Sequence, residues 1–333
     1  MTAAPLVSYA QNGEDVVLWR ALRGVEHGRY VDVGANAPEQ DSVTKLFYDR
    51  GWSGLDVEPV AEWADALRRE RSRDTVAEVA VTATDGGEVV LHESAGTGLS
   101  TVRSEYAVDA VGLGHEIRER RVPTRTLAGL VAEHLGDQDV HFCKIDVEGA
   151  EADVLAGADL ARWRPWVLVV EATRPNSTEQ THEEWEPGVL AAGYRFCLFD
   201  GLSRFYVRDD KAAELAPALS YPACPLDGYV RAEEVRLRAR LDHVGQLHHR
   251  ASEELDVLRR RDADAQALRA EVVRWRGIAL ERWSAAVSGP RSSVDDGARA
   301  ELEALQRTVS WRVTAPLRAV RSRQLSGRRG TVA

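Results

Sequence analysis

Residues 141–151 read His-Phe-Cys-Lys-Ile-Asp-Val-Glu-Gly-Ala-Glu, an apolar strand that runs into three carboxylates within six residues. Packing explains acids in such a place poorly, and in open α/β sheets ligands sit beyond the carboxyl ends of the strands. Asp146 is the best placed of the three to reach a ligand. Lys144, two residues earlier, shares its side of the strand and can set its ionisation by proximity; a structural ion pair is the competing explanation. Asp146, Glu148 and Lys144 are therefore the candidate catalytic group, with a carboxylate as proton acceptor. Two histidines rank behind them as bases. His115 sits in Gly-Leu-Gly-His-Glu (112–116), a loop that could close over a site, although a solvated loop accounts for it as well. His141 opens its strand and reads better as a structural histidine.

A second constellation lies upstream. Residues 30–36, Tyr-Val-Asp-Val-Gly-Ala-Asn, carry Asp32 on an apolar strand and turn at Gly34, where a missing side chain lets the backbone approach a ligand. Asp41 or Ser42 then caps the next helix. The dinucleotide spacing Gly-x-Gly-x-x-Gly is incomplete, because Asn36 stands where the second glycine would be. A diphosphate needs that bare loop and a free helix N-terminus. S-adenosylmethionine has no diphosphate, so the departure favours it over NAD. About 25 residues on, Gly-Leu-Asp-Val-Glu-Pro (54–59) is a second strand ending in an acid. Glu58 can accept hydrogen bonds from both ribose hydroxyls there. Asp56 is the alternative, inside the strand, and a helix-start charge is the ordinary reading of a glutamate before proline.

These residues must be held by alternating elements. Strands are expected at 29–33, 53–57, 75–81, 88–92, 140–145, 166–171, 194–199 and 204–207, several apolar on both faces. Helices are expected at 42–50, 59–70, 127–135, 150–156 and 183–192. The alternation predicts an α/β fold with a mostly parallel sheet. The last two strands are joined by Asp200-Gly201-Leu202-Ser203, a hairpin connection. A parallel sheet finished by an antiparallel hairpin is the Rossmann-like arrangement of class I methyltransferases. A helix over 9–15 is expected to fold across the cofactor, with Gln11 or Asn12 as contacts.

The expected organisation is a domain over 1–210, a proline-bearing linker over 211–229, a helical segment over 230–287, and a flexible linker with a short basic tail helix over 288–333. Leu237, Leu241, Val244, His248, Ala251, Leu255 and Leu258 alternate spacings of four and three, which predicts a coiled-coil seam and self-association. The tail after Glu303 has seven arginines and no acids, and with Trp311, Val313 and Leu317 it could lie on an anionic membrane surface.

Composition narrows the partners. A net charge of −10 over 333 residues argues against a general nucleic-acid binder. Cys143, Cys197 and Cys224 are too sparse for a disulfide framework and too scattered for a metal pattern. Neither a signal peptide nor a transmembrane stretch is legible, so a cytoplasmic address is expected, with peripheral contact at the inner face of the membrane through the tail.

The chain resembles the FkbM family of S-adenosylmethionine-dependent methyltransferases. The resemblance rests on residues 8–15 (Ser-Tyr-Ala-Gln-Asn-Gly-Glu-Asp), 30–36, 51–59 (Gly-Trp-Ser-Gly-Leu-Asp-Val-Glu-Pro), 97–101 (Thr-Gly-Leu-Ser-Thr), 144–151 and 199–203 (Phe-Asp-Gly-Leu-Ser), and covers about residues 6–210 in order. It implies methylation of a hydroxyl group, on a sugar or on a polyketide. Residues 310–318, Ser-Trp-Arg-Val-Thr-Ala-Pro-Leu-Arg, resemble an ending shared by sugar-modifying enzymes of surface-polysaccharide pathways. A glycan O-methyltransferase is therefore expected, with a glycosyltransferase as candidate partner. The expected cofactor-binding set is Asp32, Gly34, Asn36, Ser42, Glu58, Ala80 and Asp146. The 97–101 segment, small and polar, is expected on the acceptor side. A divalent metal stays open: Asp146 and Glu171 end neighbouring strands and oxygen ligands suit Mg²⁺, but such acids also occur without metal. Two other classes compete, an NAD-dependent oxidoreductase on the same sheet and a silent scaffold assembled through the coiled coil.

Overall fold

The computed structural model describes residues 5–94, 96, 98–288 and 295–319. The chain divides into two compact units, one ending at His243 and the other starting at Val244. The first unit opens with β1 (Leu6–Ser8), α1 (Glu14–Leu22), β2 (Arg29–Val33), α2 (Lys45–Tyr48), β3 (Ser53–Val57), α3 (Ala61–Glu70) and β4 (Thr75–Ala77). There follow β5 (Ala80–Val81), β6 (Glu88–Ser94), α4 (Ser104–Gly112), β7 (Ile117–Arg125), α5 (Leu127–His134), β8 (Phe142–Ile145) and α6 (Glu151–Ala156). It continues with β9 (Val167–Glu171), α7 (Glu186–Ala191), β10 (Tyr194–Phe199), β11 (Ser203–Arg208), α8 (Ala212–Leu219) and β12 (Tyr229–Arg231).

Seven strands form the main sheet in the order β10-β11-β9-β8-β2-β3-β4. Strands β4, β3, β2, β8 and β9 run parallel, and β11 pairs antiparallel with both β9 and β10. From β2 the chain passes to β3 on one side and later to β8 on the other. That reversal opens a crevice at the carboxyl ends of β2 and β8.

Side-chain parity explains the layers. On β2, Val31 and Val33 pack into one core with Leu127 and Leu130 of α5 and Val154 of α6. Tyr30, on the other face, joins Phe47, Trp52, Phe142 and the α1 and α8 residues Leu18, Leu22 and Leu219. Strands β8 and β9 are buried along their whole length, as expected of central parallel strands covered on both faces. Each fully buried large apolar side chain contributes roughly 1.5–3 kcal/mol, so these two layers dominate the stability of the sheet.

Several elements differ from the sequence reading. The strand expected over 75–81 is two: β4 closes the main sheet, and β5 leaves it to pair with β7 in a three-stranded sheet ordered β5-β7-β6. Strand β7 was not expected, because its outward run Arg118–Arg121 is charged and exposed and only Val122 and Thr124 turn inward. No helix spans residues 9–13; α1 starts at Glu14, after Gly13 at φ 81°. The expected linker over 211–229 is packed structure. Leu215 and Leu219 of α8 are buried, β12 pairs parallel with β1, and Arg20 bridges to Asp227 at 2.9 Å. Prolines imitated a linker there, yet Pro217 sits inside α8 and Pro225 opens a 3₁₀ turn.

Helix α9 (Ala232–Ser288) runs 57 residues, and it leaves Leu237, Leu241, Val244, Leu255 and Leu258 exposed. The second unit continues with α10 (Asp295–Arg307) and α11 (Val309–Val313). The tail expected at a membrane surface lies, over 320–333, outside the described residues. Among the described residues no helix is long and apolar enough to cross a membrane.

Candidate active site

At the end of β2 the chain turns at Gly34, whose φ is 79°. Its N–H donates to the Val57 carbonyl at 2.9 Å, and its own carbonyl accepts from Lys144 Nζ at 2.8 Å. A Cβ at Gly34 would lie 1.8 Å from the Asp146 carbonyl oxygen, so this turn is pressed against the end of β8. Asn36, also left-handed at φ 52°, donates its N–H to Glu58 Oε2 at 2.8 Å. Glu58 Oε1 accepts from the Val60 N–H at 2.7 Å. One carboxylate thus clamps the turn after β2 to the start of α3. Burial pushes the Glu58 carboxyl up to about 7, while the two backbone donors work the other way.

The end of β8 is acidic. Lys144 Nζ lies 3.3 Å from Asp146 and 3.4 Å from Asp32. Burial alone would lower the ammonium pKa, but Asp146 and Asp32 raise it further, so the group stays charged. Glu148 takes φ 52°, and Gly149 follows at φ 98°. Glu151 braces this loop: Oε1 accepts the Gly149 N–H at 3.0 Å and the Val147 N–H at 3.2 Å. Glu171 ends the neighbouring strand β9. Asp146, Glu148 and Glu171 each offer an oxygen within 4.8 Å of the others. Burial first, then the neighbouring acids, pushes the Glu148 and Glu171 carboxyls well above the usual range.

The acid loop is held from the other side as well. Thr101 Oγ1 donates to the Glu148 carbonyl at 2.7 Å, and Arg103 Nε donates to the Gly149 carbonyl at 3.1 Å. Gly149 leaves room for Tyr106 of α4, whose ring a Cβ would meet at 1.8 Å. Arg174 stacks over Tyr106 and pairs with Asp109 at 2.9 Å, which fastens α4 to the segment after β9.

Between these parts lies a cavity of about 800 Å³. Gly34, Asn36, Glu58, Ala80, Lys144, Asp146 and Glu148 all line it, as does Gln11. Asp32 and Ser42, expected as cofactor contacts, do not. Parity turns Asp32 to the opposite face of β2 from Val31 and Val33, where it is 1% exposed and accepts from Thr44 Oγ1 at 2.9 Å. Arg71, equally buried, donates to Thr44 Oγ1 and to Ser42 Oγ, both at 2.7 Å. Asp32 and Ser42 therefore belong to a buried polar network under the sheet. Asp56, the alternative to Glu58, belongs with them; burial and then Asp74 hold its carboxyl well above the usual range. Asn12 donates to the Asp200 carbonyl at 3.0 Å rather than facing the cavity. His141 accepts the Arg29 N–H at 3.0 Å beneath Trp166, at the far end of β8, and His115 does not line the cavity. The segment after β9, with Thr173, Asn176, Ser177 and Thr178, lines the cavity without any motif that marked it. Of the 97–101 segment, Gly98, Leu99 and Ser100 line it and Thr97 lies outside the described residues.

A parallel sheet closed by an antiparallel hairpin, with a cavity over the carboxyl ends of β2, β3 and β8, defines a class I S-adenosylmethionine-dependent methyltransferase. Within that class the chain carries an FkbM methyltransferase domain. Residues 32–196, just under half of the chain, match the model described as Methyltransferase FkbM domain. No curated protein matches the chain in sequence. Similar solved structures include a TehB-like SAM-dependent methyltransferase from Corynebacterium glutamicum, at 8% identity over 60% of this chain and 88% of that one, with TM-score 0.34. A putative O-methyltransferase from Klebsiella pneumoniae is similar at 13% identity over 59% and 80% of the two chains, with TM-score 0.31. An O-methyltransferase from Bacillus cereus is similar at 14% identity over 60% and 82%, with TM-score 0.30.

Proposed function

We propose that the first unit transfers a methyl group from S-adenosylmethionine to a hydroxyl group of a sugar or glycan, in the tailoring of a surface polysaccharide or other glycoconjugate. The observation that carries this reading is the lining of the cavity. Beside the Glu58 clamp and the acids lie the hydrogen-bonding side chains of Gln11, Gln40, Ser100, Asn176, Ser177 and Thr178. Such a lining suits a polyhydroxylated acceptor better than a flat apolar one.

The residues present fit the cofactor. The cavity volume lies in the range of small-molecule sites. Each Glu58 oxygen uses one acceptor direction on a backbone N–H and keeps another for a ribose diol. Val60, Ala80 and Val81 give apolar walls for a flat base, and the Asn36 Oδ1 is buried without a partner. When bound, S-adenosylmethionine supplies a methyl group already activated by its sulfonium.

The remaining work is alignment and proton transfer. Asn36, Glu58 and the apolar walls would hold S-adenosylmethionine, which would give its methyl group to the acceptor oxygen and leave as S-adenosylhomocysteine. The hydroxyl proton passes to Asp146, which lines the cavity with 32% of its side chain exposed. Lys144 holds Asp146 in place and balances its charge before the proton arrives.

Calorimetric titration with S-adenosylhomocysteine and with NAD tests the cofactor, and transfer of labelled methyl to free and nucleotide-linked sugars tests the acceptor. Binding of S-adenosylhomocysteine alone is expected. Asp146→Asn should lower turnover by roughly 10²–10⁴-fold while leaving that binding within a few-fold. Binding of NAD in its place, or transfer only to polyketide hydroxyls, overturns the reading.

A further inference from the structure

We propose that Asp146, Glu148 and Glu171 form a site for one hard divalent cation, Mg²⁺ or Mn²⁺, on the floor of the cavity. The three ligand oxygens lie within 4.8 Å of one another and come from two strand ends and a braced loop. Clustering alone does not single out a ligand; the state of the individual oxygens does. Glu171 is only 6% exposed, lines the cavity, and its Oε2 is buried with no hydrogen-bonding partner. The Oε2 of Glu148 is in the same condition. A buried carboxylate oxygen left without a donor is costly, and two of them beside one cavity call for a positive partner there.

The protein supplies too little positive charge for this. Lys144 is the only cation among the described residues paired with any of the three acids, and its ammonium already serves the Gly34 carbonyl, Asp32 and Asp146. Glu148 and Glu171 have no ion pair among the described residues. Glu151 adds a further acid behind them. An all-oxygen set lining a cavity matches the preference of hard divalent ions, which keep several water or substrate oxygens as ligands. For the methyl transfer proposed above, on which this consequence rests, a cation there would hold the acceptor oxygen and favour loss of its proton. Each carboxylate has two oxygens, so Asp146 can ligate with one and take the proton on the other.

The test uses the full chain, stripped with a chelator and titrated with Mn²⁺ while free Mn²⁺ is followed by electron paramagnetic resonance. One equivalent should bind and raise the melting temperature. Glu171→Gln and Glu148→Gln keep the shape of the site; each should weaken Mn²⁺ by on the order of tenfold or more and abolish the thermal shift. Both variants, in chelator, should bind S-adenosylhomocysteine within a few-fold of the parent, which also reports that they fold. Failure of the parent to bind Mn²⁺ at millimolar concentration overturns the inference, as does binding left unchanged in both variants. A protein that binds S-adenosylhomocysteine but no Mn²⁺ loses the cation site and keeps the methyl-transfer reading. One that binds Mn²⁺ at the triad but no S-adenosylhomocysteine keeps the site and loses that reading.

Discussion

A Cβ on Gly34 would stand 1.8 Å from the carbonyl oxygen of Asp146. The two residues follow adjacent parallel strands, β2 and β8, whose register pairs Val33 with Ile145. Lys144 completes the lock by donating to the Gly34 carbonyl at 2.8 Å. The glycine of the turn after β2 is thus demanded by the strand that carries Asp146. The backbone it approaches belongs to the protein itself, and the ends of β2 and β8 cannot shift independently.

Gly34→Ala tests that lock. A left-handed non-glycine residue costs about 1–2 kcal/mol before any clash is counted. The contact with Asp146 adds to this, because the obstacle is backbone and cannot rotate away. The melting temperature is expected to fall by at least about 5 °C, and S-adenosylhomocysteine affinity should fall with it. An unchanged melting curve would mean that β8 yields at no cost and that the two halves are not coupled.

Lys144→Met probes the charge balance. The substitution keeps most of the stem and removes the only cation among the described residues that pairs with Asp32, itself 1% exposed. Leaving one partner of a buried pair uncompensated typically costs about 3–5 kcal/mol. Denaturant unfolding should show a loss of that order, and Asp32→Asn in the same chain should recover part of it. If Lys144→Met alone loses under about 1 kcal/mol, the ammonium is not what tolerates Asp32 in the interior.

The Asp32 environment also shows where reading the sequence stops. The strands 29–33, 53–57 and 194–199 were legible to the residue, because local apolar patterning and turn residues bound them. Gly34, Glu58 and Asp146 could be placed at the cavity because strand ends in such sheets face the crevice. Asp32 lies one residue off that face, and Arg71, which donates to the Thr44 hydroxyl that serves it, is far along the chain, so no local pattern distinguishes Asp32 from a ligand contact. Ser42 was misplaced for the same reason, since Arg71 claims its hydroxyl. Strand β7 stayed hidden because its exposed face is charged, and the acceptor-side segment 173–178 because loop positions carry no periodicity.

Glu14 makes a prediction about pH. It is 3% exposed and lies outside the cavity lining; burial, then Asp200, pushes its carboxyl from 4.5 up to about 8. The folded state therefore holds this proton more tightly than the unfolded state. Its contribution to stability is fully present below pH 4.5 and is lost as pH rises through about 8. Glu14→Gln removes the titration. The melting temperature of the variant relative to the parent should be lowest near pH 5 and climb steadily toward pH 8. A difference that does not change with pH would show that Glu14 ionises normally in the folded chain.

The last prediction concerns where the folded domain ends. The family resemblance stops near residue 210, but α8 and β12 lie beyond it and pack on elements before it. Leu215 and Leu219 join the core that holds α1, Leu6 pairs with Tyr229, and Asp227 meets Arg20. A chain ended at residue 210 strips these contacts and exposes the α1 face they cover. The two leucines alone account for roughly 1.5–3 kcal/mol each, a large part of a typical domain's net stability. A chain ended at residue 243 keeps them all. The longer chain should melt cooperatively, close to the full-length protein, whereas the shorter one should melt well below it and lose S-adenosylhomocysteine binding at ambient temperature. Equal melting of the two would show that α8 and β12 rest on the domain without supporting it.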